Sequence, residues 1–235
     1  VSRAPAVVVL TLALGVLATA GYLLRDLARW PVHSVRVAGD FQHLSRTALE
    51  RAIARHLGPG FFGIDLSTVR SAALALPWVK DVSIRRVWPD SLHVAVIERR
   101  AVARWDGGGL VDADGQLFHP EQEPQGLELP VLHGPPGAEG EMLRRYRELS
   151  EALAPAHARI DELSRDARGA WRVHLARGTE LVLGREPSLV RLNEFARVLA
   201  TALRARSAQI DRVDLRYASG FAVHWKGGST LDAEG

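Results

Sequence analysis

The stretch LPWVKDVSIRRVWPDSLHVAVIERRAVARW, residues 76–105, constrains the fold more than any other part of this chain. Pro77 closes the helical pattern before it, because its ring crowds a helical predecessor and it has no N–H to donate. Val82 and Ile84 then alternate with polar residues, and Leu92, Val94 and Val96 do the same beyond Trp88-Pro89-Asp90-Ser91. Alternation with a period of two on both sides of a Pro-Asp turn predicts an antiparallel hairpin with one buried face. One segment thus holds a helix end, a hairpin and the start of a second sheet.

Upstream, Val32 to Arg99 has the pattern of one small unit. Val35 and Val37 share a face of a first strand, and Gly39 marks the turn after it. Thr47 with Glu50 forms a capping-box pattern, and Leu49, Ile53 and Leu57 recur at helical spacing up to a stop at Gly58. Phe61-Phe62-Gly63-Ile64 reads as an apolar loop. Asp65 can cap a second helix whose apolar positions are Leu66, Val69, Ala73 and Leu76. The expected order is β-α-α-β-β, with two helices on one face of a three-stranded sheet.

From Ala101 the spacing changes. Short strands are expected at Val102–Trp105, Leu110–Val111 and Gly115–His119, separated by the turns 106–109 and 112–115. A Pro- and Gly-rich connector around 128–135 follows, then an amphipathic helix from Glu139 to Leu153 with Met142, Tyr146, Leu149 and Leu153 inward. Further strands fall near Ile160, at Trp171–Leu175 and at Glu180–Leu183. A last helix runs from Ser188 to about Ala205, laid out by Leu189, Leu192, Phe195, Leu199 and Leu203. The chain closes with Val213–Tyr217, a Ser219-Gly220 turn and Phe221–Trp225, and residues 227–235 are expected to fray. The class is α+β, and in this second unit, 101–226, one extended and mainly antiparallel sheet carries both helices.

Ala6 to Leu24 is an apolar run of 19 residues without a charge. As a helix it spans about 28 Å, close to the hydrocarbon thickness of a bilayer. Two readings fit it: an uncleaved transmembrane anchor, or a secretory signal cut after Ala18-Thr19-Ala20. Its length favours the anchor, since a signal's apolar region usually has 7–15 residues. Either way the remainder lies outside the cytoplasm, and residues 1–5 form a short cytoplasmic tail in the anchor reading. Charge alone leaves the orientation open, because Arg25 and Arg29 outnumber Arg3.

The chain has 235 residues, 47% of them hydrophobic and 24% charged, which is the composition of folded domains. It has no cysteine, which removes disulfides, thiolate nucleophiles and Cys-based metal sites. The net charge of +3 is nearly all arginine and is spread along the chain, without the basic stripe and interleaved aromatics of a nucleic-acid binder. No P-loop, G-x-S-x-G, H-E-x-x-H or G-x-G-x-x-G occurs. The nine histidines are dispersed, with no two at ligand spacing on a helix face. Asp112-Ala113-Asp114-Gly115 lacks the rest of a calcium loop and reads as a hairpin turn. Gly107-Gly108-Gly109 opens no helix and reads as a flexible turn. Asp81, Asp90 and Glu98 have no partner nearby in sequence and read as solvated hairpin residues. No catalytic, cofactor-binding or metal residue is assigned, and no enzyme activity is expected.

The 76–105 run resembles the FtsQ/DivIB family of bacterial cell-division proteins, whose exported part carries a similar LPWV-K-x-V-x-V-x-R-x-WP-D-x-L-x-V-x-V-x-E-x-x-P-x-A-x-W pattern. Ala101 and Val102 stand here where that pattern usually has a proline. VDADG, LPVLHGP, RYREL, LVLGRE and VDLRYASG extend the resemblance over most of the chain beyond the apolar run. It implies a polypeptide-transport-associated (POTRA) domain over 32–100 and a β-rich C-terminal domain over 101–226. It also implies a single-pass inner-membrane protein with its C-terminal part in the periplasm, at the division septum.

In that family the C-terminal strand receives a segment of FtsB, which comes with FtsL. By position the resemblance assigns partner contact to Tyr217, Ser219, Gly220, Phe221 and Trp225, and to Arg185 facing an acidic partner residue. Other division proteins, such as FtsK, FtsW and FtsI, would meet the POTRA or transmembrane region. The residues themselves point the same way: a final strand has no later strand to cover it, and this one carries little charge apart from His224 and Lys226. Inward packing of Tyr217, Phe221 and Trp225 is the competing account of those aromatics. The rival function is a POTRA-type periplasmic chaperone or transport component, which would usually carry repeated POTRA units or a β-barrel.

Overall fold

A computed structural model of the chain describes residues 12–19, 32–58, 60–124, 126–217 and 220–227. Among them no helix is long and apolar enough to cross a membrane. The expected 6–24 span lies largely outside the described residues; within it, 12–19 is helical and exposed. The rest divides into two compact units, split between Arg99 and Arg100.

The first unit has the order β1 (Ser34–Ala38), α1 (Arg46–Ala54), α2 (Leu66–Leu74), β2 (Val79–Val87) and β3 (Ser91–Glu98). Its sheet is ordered β1-β3-β2, with β1 parallel and β2 antiparallel to the central β3. Alternation does its work here: Val82, Leu92, Val94 and Val96 are buried under the helices with Leu49, Ile53, Val69 and Ala73. The helix α1 starts two residues before the Thr47 signal. Ser45 is its cap, its Oγ accepting from the N–H of Ala48 at 3.3 Å, and Glu50 instead pairs with Arg46. It stops at Ala54, short of Gly58. Asp65 does cap α2, accepting from the Ser67 N–H (2.9 Å) and hydroxyl (2.6 Å) and from the Thr68 hydroxyl (2.7 Å). Those bonds, the Ser67 hydroxyl first, hold its carboxyl down at about 2.

The three hairpin carboxylates all have structural partners. Asp81 pairs with Arg70 at 2.7 Å and Asp90 with His33 at 3.2 Å. Glu98 gathers the backbone N–H groups of Gln42 (2.7 Å), His43 (2.7 Å) and Leu44 (3.1 Å), closing the turn between β1 and α1.

The second unit is built on one nine-stranded sheet in the order β12-β11-β10-β9-β8-β7-β4-β5-β6. Its strands are β4 (Ala101–Trp105), β5 (Leu110–Asp112), β6 (Leu117–Phe118), β7 (Val131–His133), β8 (Ile160–Arg165), β9 (Trp171–Leu175), β10 (Glu180–Gly184), β11 (Ile210–Asp214) and β12 (Ala222–Trp225). The segment 128–135 is more than a connector. Val131–His133 inserts between β4 and β8, parallel to both, and makes the sheet continuous. Five of the eight pairings are antiparallel, so the sheet is mixed with an antiparallel majority.

Helix α3 (Glu139–Leu153) buries Met142, Leu149 and Leu153, and α4 (Leu189–Ala200) buries Leu192, Phe195 and Leu199, all in one core with the sheet. Leu189, expected inward, is exposed in the first turn of α4. That helix also ends earlier than its spacing suggests. Thr201 bonds back to the Arg197 carbonyl at 2.8 Å while its own backbone leaves helical angles, and a 3-10 turn over Arg204–Gln209 leads into β11. Asp112 is buried and turns 112–116 by accepting the N–H groups of Asp114 and Gln116, both at 2.9 Å.

Candidate functional site

Among the described residues β12 pairs only with β11, so its far side is an open edge. Which backbone groups face outward follows from two hydrogen bonds. The Leu215 N–H donates to the Val182 carbonyl at 2.9 Å, so Val213 and Leu215 face β10, leaving Arg212 and Asp214 to face β12. The Lys226 N–H donates to the Gln209 carbonyl at 2.7 Å, so Ala222 and His224 face inward, opposite Asp214 and Arg212. By the same alternation the N–H and C=O groups of Val223 and Trp225 point away from the sheet. A bulge in β11 between Ile210 and Arg212 keeps this parity along the strand.

Side chains alternate with the same period. Phe221, Val223 and Trp225 lie on the helix side, partly buried against the core, and the Phe221 ring meets the Phe195 ring edge-on at 5.4 Å. His224 is exposed on the opposite face, at the end of a cross-strand row of Glu162, His174, Glu180 and Arg212. Within that row Arg212 and Glu180 pair at 2.6 Å.

One end of the edge is built by a tight corner. Asp214, almost fully buried, accepts the Arg216 N–H (3.0 Å) and takes its guanidinium on both oxygens at 2.5–3.0 Å. The bonds from the Arg216 side chain hold the Asp214 carboxyl below the usual carboxylate range and push the guanidinium up. Gly184 closes the neighbouring strand with φ +77°, and a Cβ there would stand 3.2 Å from Arg216 Cγ. Both favour glycine there. Since β10 and β11 are parallel, Arg185 and Tyr217 leave the sheet at the same end, where β12 begins. Arg191 of α4 holds the Tyr217 carbonyl at 2.6 Å.

The expected contact residues therefore separate. Arg185 is exposed with no ion-pair partner among the described residues, and the Tyr217 side chain is 57% exposed. Gly220 and Phe221 adjoin them, while Trp225 sits at the other end of β12 opposite Ile210. Ser219 lies outside the described residues. Sequence reasoning missed Val223 and Arg191. The first is found only through strand register, and the second reaches the corner from a helix, 26 residues before Tyr217. Among the described residues no cluster of three His, Asp or Glu side chains could hold a metal ion.

A family model described as "Cell division protein FtsQ/DivIB, C-terminal" matches residues 103–216, and one described as "POTRA domain, FtsQ-type" matches 30–99. The cell division protein FtsQ of Thioalkalivibrio sp. is 39% identical over 88% of this chain and 89% of its own length. That of Coxiella burnetii is 35% identical over 83% and 81%, and that of Burkholderia pseudomallei 35% over 90% and 87%. The chain belongs to the FtsQ family. The first unit is thus an FtsQ-type POTRA domain and the second the family's β-rich C-terminal domain. The C-terminal match stops at residue 216, between β11 and β12, so of the expected contact residues only Arg185 falls inside it.

Proposed function

We propose that this FtsQ-family chain is a non-catalytic scaffold of the division machinery that takes a strand of FtsB, delivered with FtsL, onto the β12 edge. The observation that carries this reading is the outward backbone of Val223 and Trp225 on β12, whose far side is open among the described residues. Strand addition pairs those groups, and the corner supplies specificity through Arg185, Tyr217, Ser219, Gly220 and Phe221. Residues 6–24 anchor the chain in the inner membrane as a single-pass protein with both units in the periplasm at the septum. Anchoring raises the effective concentration of partners held in the same membrane, so individually modest contacts suffice. FtsK, FtsW and FtsI meet the POTRA unit, whose β2 is a second open edge, or the anchor. The scaffold links early and late division proteins and helps control septal peptidoglycan synthesis.

Two experiments test this. Full-length chain in detergent should capture the purified FtsB–FtsL pair, and failure to do so would remove the strand-addition mechanism. Depletion in cells should give filaments without septa. Normal septation with loss of outer-membrane proteins would point to transport instead.

A further inference from the structure

The POTRA unit presents a second surface, at the tip of its hairpin. Trp88 is 74% exposed there and Val87 beside it 39%. Arg86, the preceding residue, donates to the carbonyls of Phe61 (3.1 Å) and Ile64 (2.5 Å) and so docks the 61–64 loop next to the tip. Phe61 and Ile64 are buried by that docking, but Phe62 remains 51% exposed. Single exposed apolar side chains are ordinary. Three on adjoining turns at one end of a small unit form a patch.

Where the chain joins the unit decides what this patch faces. The His33 N–H donates to the Asp90 carbonyl at 3.0 Å, and the Ser34 and Ser91 hydroxyls meet at 2.7 Å. His33 and Ser34, at the start of the unit, are therefore tied to the hairpin tip. Eight residues, 25–32, lie between Leu24, the end of the apolar run, and His33, and the link reaches about 30 Å at most. The chain therefore enters the unit at its hairpin-tip end. On the open face of the sheet Arg36, His93 and Arg85 stand in one cross-strand row, two residues from the tip. Among the described residues of β1, β2 and β3 and the turn between β2 and β3, the carboxylates are Asp90, held by His33, Asp81, held by Arg70 at the far end of β2, and Glu98, spent on the Gln42–Leu44 amides.

We propose that the hairpin tip is a lipid-contacting surface. Trp88, Val87 and Phe62 enter the boundary between headgroups and acyl chains of the bilayer that holds residues 6–24, while Arg36 and Arg85 meet its phosphates. This rests on the reading of 6–24 as an anchor. An indole suits that boundary because its ring is apolar and its N–H finds water or a headgroup. Arginines set back from the tip reach anionic headgroups while their stems cover apolar surface. The contact fixes the tilt of the POTRA unit against the membrane.

The chain has no cysteine, so a single introduced one takes a spin label uniquely. The full chain is placed in vesicles of phosphatidylethanolamine and phosphatidylglycerol, with a nitroxide at position 87 (Val87→Cys), 40 (Asp40→Cys, beyond the other end of β1) or 15 (Gly15→Cys). The ratio of oxygen to nickel-complex collisions should be highest at 15 and several-fold higher at 87 than at 40. Adding Trp88→Ser should bring position 87 down towards 40. A deep label at 15 with position 87 as aqueous as 40 overturns the proposal and leaves the anchor standing. A water-exposed label at 15 overturns both.

Discussion

Val223→Pro separates an edge that binds from an edge that merely exists. The Val223 N–H faces away from β11, so proline there breaks no hydrogen bond within the sheet, and an edge position with an outward N–H is where strands accept proline. The cost to the fold is the exchange of a half-buried valine for a ring of similar size, about 1 kcal/mol, or roughly 2–4 °C in melting temperature for a chain of this length. For an added strand the loss is larger. One backbone hydrogen bond contributes about 1 kcal/mol, and the partner carbonyl left facing the ring costs about 1–2 kcal/mol more. The sum, about 2–3 kcal/mol, weakens binding by roughly 30- to 150-fold. Ala222→Pro is the contrast: its N–H faces Asp214, so it should destabilise the sheet by about 3 kcal/mol. Calorimetric titration of the FtsB–FtsL pair into full-length chain, with melting curves on the same samples, reads both. A Val223→Pro chain that melts normally and binds with unchanged affinity refutes strand addition on β12.

Glu98→Ala removes the acceptor for three backbone amides and should destabilise the turn before α1 by about 2–3 kcal/mol. Hydrogen exchange of residues 42–44 should then accelerate by roughly 30- to 150-fold, whereas unchanged exchange would show that the carboxylate holds nothing. Asp65 has a folded pKa of about 2, below its unfolded value near 3.8, so between those values the unfolded state binds more protons. Its stabilisation is complete above about pH 4 and disappears as pH falls through about 2. Acid unfolding of Asp65→Asn, followed by exchange of the α2 amides, should lack that component. Gly184→Ala forces a Cβ to φ +77° and against Arg216; it should cost about 1–2 kcal/mol in thermal melts. The same substitution should weaken partner binding by displacing Arg185.

Long, strongly periodic elements were legible from residues alone. Glu139–Leu153 shows its helix through Met142, Leu149 and Leu153, and the hairpin through Val82, Leu92, Val94 and Val96. Elsewhere a local signal had a competitor that only packing resolves. Ser45 and Thr47 both qualify as caps, and Ser45 wins because it lies at the turn that Glu98 ties down. Thr201 and Leu203 continue the spacing of α4, yet the Thr201 hydroxyl takes an i−4 carbonyl and the helix stops. Val131–His133 is a three-residue strand in a proline-flanked segment, too short to display alternation, and it shows itself only by pairing with both β4 and β8. The open edge was legible as a place: among the described residues β12 ends the sheet. Its polarity was not, because which amides point outward depends on a register set by a bulge in β11.

That register changes what the aromatics are for. Along β12 the residues with outward backbone, Val223 and Trp225, share a parity with Phe221, and all three turn their side chains onto the core. Each position that can bond a partner strand is therefore held by its own side chain, and Phe195 beneath Phe221 is fully buried. Ordering a loose strand would cost about 1–2 kcal/mol per residue, and this edge has met that cost before any partner arrives. Under the proposed strand addition, side-chain recognition would fall to the open face, which carries Ala222 and His224, and to the corner around Arg185 and Tyr217. A charge at position 221 consequently confounds binding with folding, since it strikes the Phe195 contact as well as the edge. Backbone substitutions at 223, and side-chain changes at 185, 217 and 224, divide the two effects.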